Sequence, residues 1–212
     1  MDLGLPIIGA AAFGYLLGSV PFAVIVSRAF GLADPRTVGS GNPGATNVLR
    51  SGNKLAAVLT LVGDAAKGAL AMWLVSLAVP SVSLSVGAGD TPLVVVVAGV
   101  SAFVGHVFPF TLGFKGGKGV ATALGVLLML SPVLGGIVLG VWLATVALTR
   151  YSSLGALVAA VASPIAAWYV LANLTGVIAA SLMSVVLIVR HKTNITKLLA
   201  GTEGRLGAKK TS

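Results

Sequence analysis

Three apolar runs, at 3–27, 55–79 and 91–112, are each long enough to cross a bilayer, and that fixes the solvent in which this chain folds. A water-soluble domain of 212 residues could not bury a sequence that is 57% hydrophobic and only 9% charged. In hydrocarbon, backbone N–H and C=O groups must be satisfied inside the segment, so the runs read as helices. The fold class predicted is therefore all-α, a polytopic helical membrane protein. The first run has no basic flank and no small-residue cleavage site ahead of Arg28, so it reads as a span rather than a signal peptide.

How many spans follow depends on two longer stretches, 120–150 and 153–190. Ser131-Pro132 breaks the first into two, and the sequence from Asn173 to Gly176 offers a turn in the second. If both break there are seven spans, and if neither does there are five. Charge favours seven. The loops after the first and third runs are rich in Lys and Arg whereas 80–90 has none, which sets the N-terminus outside. Seven crossings then bring Arg150 to the inner side with Arg190, Lys192 and Lys197, while five would leave it outside. Either count gives one domain, 1–200, with loops 28–54, 105–119 and 190–203 on the cytoplasmic side. The glycine- and lysine-rich end, 201–212, reads as a flexible cytoplasmic tail.

The charge is lopsided, 14 Lys+Arg against 5 Asp+Glu. In a soluble protein that would suggest nucleic acid. Here the basic residues stand at the ends of apolar segments, so the expected partners are the anionic leaflet of the bilayer and anionic substrates, with no nucleic acid. Without cysteine there is no thiol nucleophile or thiolate metal site, and two histidines, His106 and His191, are too few for a metal cage. Neither a metal nor a cofactor is expected. Oligomeric state is not legible.

Polar residues gather in three clusters. In GHVFPFTLGFKGGKG, 105–119, the glycines allow backbone N–H groups to turn inward, and Lys115 and Lys118 strengthen the field. Gly116, Gly117 and Gly119 with these lysines form a candidate phosphate site ahead of a helix start; the plainer alternative is a charged loop that fixes orientation. In 39–50, Ser40, Asn42, Thr46 and Asn47 surround Arg50, whose planar fork suits phosphate. In 190–205, His191 and Asn194 share a helix face, and His191 could accept a proton near neutral pH. Arg190, Lys192 and Lys197 read as charges that anchor the inner side. Asp64 and Lys67, three apart in an apolar run, read as a structural pair.

Taken together, SGNPGATNVLR at 40–50, GHVFPFTLGFKGGKGVATALG at 105–125 and RHKTNITKLLAGTE at 190–203 resemble the acyl-phosphate-dependent glycerol-3-phosphate acyltransferases. This is the small integral-membrane family of bacterial phospholipid synthesis. The resemblance extends over most of the chain, including the Asp64, Lys67, Gly68 element. It implies transfer of a fatty acyl group from acyl phosphate to the sn-1 hydroxyl of glycerol 3-phosphate, giving lysophosphatidate and phosphate. It also implies no metal and no coenzyme A or acyl carrier protein as direct donor, and a site facing the cytoplasm in the bacterial plasma (inner) membrane. By motif match Ser40, Asn42, Arg50, Lys115, His191 and Asn194 fall on the family's functional positions.

The residues fit that chemistry on their own terms. Two phosphate-bearing substrates need several cations on one face, and an acyl chain needs an apolar groove. A mixed anhydride has a good leaving group, so no strong enzyme nucleophile is required. The His-x4-Asp pattern of the other large glycerolipid acyltransferase class is absent, since Thr111 and Thr196 occupy the Asp positions. The expected mechanism is direct attack by a hydroxyl held by Asn42, Asn194 and Ser40. His191 or a substrate phosphate oxygen accepts the proton, and Arg50, Thr46, Lys115, Lys118 and the N–H groups of 116–119 hold phosphate. A covalent acyl-Ser40 intermediate is the competing mechanism, and a transporter of phosphorylated metabolites the competing function.

Overall fold

The structure is a computed structural model and describes residues 4–79 and 91–207. The basic-free loop 80–90 used to orient the chain, and the end of the tail, lie outside the described residues. Every regular element described is helical: α1 (Gly4–Gly18), α2 (Phe22–Ala29), α3 (Ala45–Leu49), α4 (Lys54–Ala78), α5 (Leu93–Val107), α6 (Val120–Leu130), α7 (Pro132–Thr149), α8 (Ser152–Leu171), α9 (Leu174–Arg190) and α10 (Lys192–Leu199), with a 3₁₀ turn at Phe110–Leu112.

Both sequence-predicted breaks are present, and each is capped. Ser131 Oγ accepts from Leu134 N–H at 3.4 Å with Pro132 as the first helical residue, and Asn173 Oδ1 accepts from Gly176 N–H at 2.8 Å. Among the described residues five segments are long and apolar enough to cross a membrane on their own: Gly4–Ala29, Lys54–Ala78, Leu93–Leu112, Pro132–Thr149 and Ser152–Leu171. α9 passes the same test only together with α10, from which it is bent by 58° at His191, and the two count as a sixth if they form one broken span. The remaining predicted segment, α6, has 11 residues. At about 1.5 Å per residue it covers roughly half of a hydrocarbon core. Its shortness sets the position of its first turn, which matters for the site.

The first segment is broken at Ser19–Pro21, because Pro21 has no N–H to continue α1 into α2. The carbonyls freed there are satisfied from neighbouring segments. Lys67 Nζ donates to Val20 O at 2.9 Å and Thr111 Oγ1 to Ser19 O at 2.6 Å. Lys67 also pairs with Asp64 at 2.8 Å, as the i,i+3 spacing predicted, and His106 Nδ1 lies 3.3 Å from the same carboxylate oxygen. The pair is structural support, and it braces a helix break.

α1 packs along α5, α4 between α5 and α6, α7 along α8, and α8 along α9. Contact between α1 and α5 is backbone-close: a Cβ on Gly14 would stand 2.2 Å from Ala98 O, and one on Gly18 2.0 Å from Ala102 O. This small-xxx-small approach is how helices associate where water supplies no hydrophobic drive. Phe103, Met72, Val126, Leu130 and Leu134 fill the interior. The outside is as apolar as the inside, with Leu148 86% and Tyr169 80% exposed, as expected of a surface that faces lipid.

Candidate active site

At one end of the bundle a cavity of about 200 Å³ is lined by residues from all three polar clusters. Its polar mouth carries Ser40, Asn42, Thr46, Arg50, Lys118, Gly119, His191 and Asn194. Its apolar arm descends between α6, α7, α8 and α9, past Leu127, Trp142, Ala159 and Met183.

The first cluster is shaped by Asn47. Its buried side chain donates through Nδ2 to Pro35 O (2.6 Å) and Val38 O (3.0 Å) and accepts from Ser40 N–H at 3.0 Å. Its hydrogen-bonding capacity is therefore used within the loop, and its role is to fold 35–40 back so that Ser40 and Asn42 face the cavity. Thr46 Oγ1 lies 3.2 Å from Ser152 Oγ, tying the loop to the start of α8. Ser40 Oγ has only a long contact, 3.5 Å, from Asn42 N–H, and among the described residues no basic side chain bonds to it.

The second cluster requires a correction. Lys115 is exposed and does not line the cavity; Lys118 takes that place. Nor do Gly116 and Gly117 line it, and their N–H groups do not form an anion nest. They donate to Val107 O (3.2 Å) and His106 O (3.1 Å), folding the loop onto the end of α5. That approach requires glycine at 117, where a Cβ would stand 2.1 Å from His106 Nε2. The donors left for an anion are at the start of α6. Gly119, with φ +89°, opens that helix, and the first turn's N–H groups have no partner within the helix. Gly119, Val120 and Ala121 line the cavity.

In the third cluster His191 is buried, and its Nδ1 bonds to Leu187 O at 2.8 Å. A carbonyl only accepts, so Nδ1 carries the proton and Nε2 is the acceptor. Asn194 has both ends of its amide engaged: Lys118 Nζ donates to Oδ1, and Nδ2 donates to Glu203 Oε1 at 2.7 Å. Ser153 Oγ donates to the same carboxylate oxygen at 2.6 Å. Burial pushes the Lys118 ammonium down to about 8, opposed by Glu203 and reinforced by Arg50, Arg190 and Lys197.

Sequence reasoning gave Glu203 no role, although it ends the third motif. It lies in the stretch predicted as a flexible tail, and 202–206 are instead bonded across the mouth. Arg150 and Leu206 bond in both directions, Leu206 N–H to Arg150 O at 2.8 Å and Arg150 Nη2 to Leu206 O at 2.9 Å. Arg205 Nε donates to Tyr151 Oη at 3.0 Å. A Cβ on Gly204 would come within 3.3 Å of Arg50 Nη2, so the same strand of chain runs beside Arg50. Ser152 and Ser153 carried no signal, since serines opening an apolar helix read as its cap. Asp64 and His106 also reach the cavity wall.

A helical membrane bundle whose cavity joins a cationic mouth to an apolar arm is a lipid-handling membrane protein, built for a molecule with an anionic head and an alkyl chain. A family model described as glycerol-3-phosphate acyltransferase matches residues 8–201, and the chain belongs to that family. It is 57% identical to the glycerol-3-phosphate acyltransferase of Laribacter hongkongensis (strain HLHK9), covering 97% of this chain and 98% of the relative. To that of Ralstonia pickettii (strain 12J) it is 54% identical over 97% and 98%. Its fold matches the crystal structure of PlsY (YgiH), an integral membrane glycerol 3-phosphate acyltransferase, in its glycerol 3-phosphate form, with TM-score 0.84, 34% identity, and 95% and 96% of the two chains covered. The lysophosphatidic acid form of PlsY matches at TM-score 0.82 and 33% identity, over 95% of each chain. Family membership sets aside the transporter reading.

Proposed function

We propose that this protein transfers a fatty acyl group from acyl phosphate to the sn-1 hydroxyl of glycerol 3-phosphate, releasing 1-acylglycerol 3-phosphate and inorganic phosphate, as an early step of phospholipid synthesis. The observation that carries this reading is the continuity of the Arg50–Lys118 mouth with the apolar arm. The arm takes the acyl chain. The cations and the first turn of α6 take the phosphates, in a site shielded enough that each hydrogen bond counts for more than it would in water.

The step is direct attack. The glycerol oxygen forms an ester bond to the acyl carbon, the bond from that carbon to the phosphate oxygen breaks, and phosphate leaves with its bonding electrons. The hydroxyl proton passes to a phosphate oxygen, whose second pKa of about 6 suits it to accept a proton near neutral pH and which leaves with the product phosphate. His191 Nε2 then serves as a hydrogen-bond acceptor that orients the hydroxyl. Against an acyl-enzyme stands the lack, among the described residues, of any base bonded to Ser40 Oγ. Asn194 orients Lys118 through Oδ1 and keeps one Nδ2–H beyond its bond to Glu203, so that N–H holds the hydroxyl together with Asn42 and Ser40.

The mouth faces the cytoplasm in the bacterial inner membrane, where the basic residues of the three clusters would satisfy the positive-inside rule. With no native cysteine, Lys192→Cys should react with a membrane-impermeant maleimide only in inside-out vesicles; reaction in right-side-out cells reverses the topology. The activity itself is tested with purified protein in lipid nanodiscs. Acyl phosphate and glycerol 3-phosphate should give lysophosphatidate and phosphate in equal amounts. Turnover with acyl-coenzyme A instead would overturn the donor assignment.

A further inference from the structure

Arg190 is placed at the inner end of a span, where a basic residue is ordinarily explained by membrane orientation. An orienting charge needs only to sit in water at the interface. Arg190 does not. It is half-buried, its guanidinium lies 5.7 Å from the Phe108 ring centroid, and its Nε–H is buried with no partner among the described residues. Giving up water at an unpaired N–H is costly, so the side chain must gain something by lying there.

It meets the glycine-lysine loop. Arg190 Nη2 donates to Gly116 O at 3.0 Å and reaches Gly117 O at 3.5 Å. The other side of the Gly116–Gly117 peptide is also held, since Gly117 N–H donates to His106 O at 3.1 Å. A peptide unit is planar, so fixing its C=O and its N–H fixes its orientation. Gly117 O belongs to the next peptide, whose nitrogen is that of Lys118. The guanidinium therefore grips the backbone immediately before the lysine that enters the cavity. Arg190 also directly precedes His191 and lies on the helix that leads to Asn194, the contact of Lys118.

We infer that Arg190 is a positioning residue for glycerol-3-phosphate acyl transfer: by clamping the Gly116 and Gly117 carbonyls it locks the second motif to the third and aims Lys118 at the bound phosphate. Both contacts come from one nitrogen, Nη2, held in place by a rigid planar guanidinium beside the Phe108 ring; a lysine at 190 would keep the charge but put its single nitrogen on a flexible stem with no planar group against the ring, and so loosen the grip.

The test compares Arg190→Lys, Arg190→Ala and, as a charge control, Lys192→Gln, all in nanodiscs with the same acyl donor as wild type. Arg190→Lys should insert normally and lose about tenfold in kcat/KM for glycerol 3-phosphate, chiefly through KM, as expected for one charge-assisted bond. Lys192→Gln should match wild type, and guanidinium ion should restore part of the activity of Arg190→Ala. Amide exchange at Gly117 should be faster in Arg190→Lys. Wild-type kinetics and exchange in Arg190→Lys would overturn the inference. So would equal losses in Arg190→Lys and Lys192→Gln, or failure of Arg190→Lys to insert. The inference rests on the family's acyl transfer and not on the donor. A wrong donor shows as an inactive wild type, while the exchange measurement still reads the clamp.

Discussion

Lys118 and Asn194 are 76 residues apart in sequence and in hydrogen-bond contact across the mouth of the cavity. The bond joins the loop before α6 to the helix after α9, and Glu203 closes it by fixing the other end of the Asn194 amide at 2.7 Å. The cation proposed to meet phosphate is thus held from a distant part of the chain.

Lys118 should set the alkaline limit of the enzyme. With the ammonium pushed down to about 8, the cation is present below that pH and lost above it, so kcat/KM for glycerol 3-phosphate should fall above about pH 8. Bound phosphate stabilises the ammonium, so kcat should hold to higher pH. Lys118→Arg should move the limit upward, and Lys118→Ala should cost about 10- to 100-fold. Steady-state kinetics from pH 6 to 10 check both.

Glu203 opposes the fall of the Lys118 pKa. Glu203→Gln keeps the size and loses the anion, so the alkaline limit should move to lower pH while kcat/KM drops about tenfold. Ser153→Ala, which removes only a neutral donor to the carboxylate, should cost less than Glu203→Gln at every pH. The same kinetics in the two variants check this.

The acid side of the profile identifies the base. His191 Nδ1 is held by Leu187 O, so only Nε2 could take the proton. If a phosphate oxygen takes the proton, an acid limb near the second phosphate pKa of about 6 persists in His191→Gln. Disappearance of that limb in the variant would make His191 the base.

Much of this was legible because hydrocarbon forces simple rules on a chain. The runs, the Ser131-Pro132 and Asn173 breaks and the Asp64–Lys67 pair follow from spacing and backbone chemistry alone. The loop glycines misled for a physical reason: Gly116 and Gly117 look like free donors in sequence, but their N–H groups meet carbonyls at the end of α5, a tertiary contact that no local pattern encodes. The same fold turns Lys115 outward and Lys118 inward, and three residues of spacing cannot reveal which. Glu203 was hidden by glycines that made its surroundings look like a loose end. Its hold comes from Ser153 and Asn194, 50 and 9 residues away.

The α1–α5 contact gives a stability test away from the site. A Cβ at residue 18 would overlap Ala102 O, so Gly18→Ala should lower stability by about 1–3 kcal/mol and Gly18→Leu should prevent assembly. Thermal unfolding in detergent checks the first, and yield of folded protein the second.

The most direct measurement is a crystal structure grown in lipid with glycerol 3-phosphate and a non-hydrolysable acyl phosphonate. The predicted result has both phosphorus atoms at the mouth, among Arg50, Lys118 and the first turn of α6, with the alkyl chain running down the arm between α6, α8 and α9. A phosphonate bound at Lys115, or a chain lying outside the cavity on the lipid face, would contradict it.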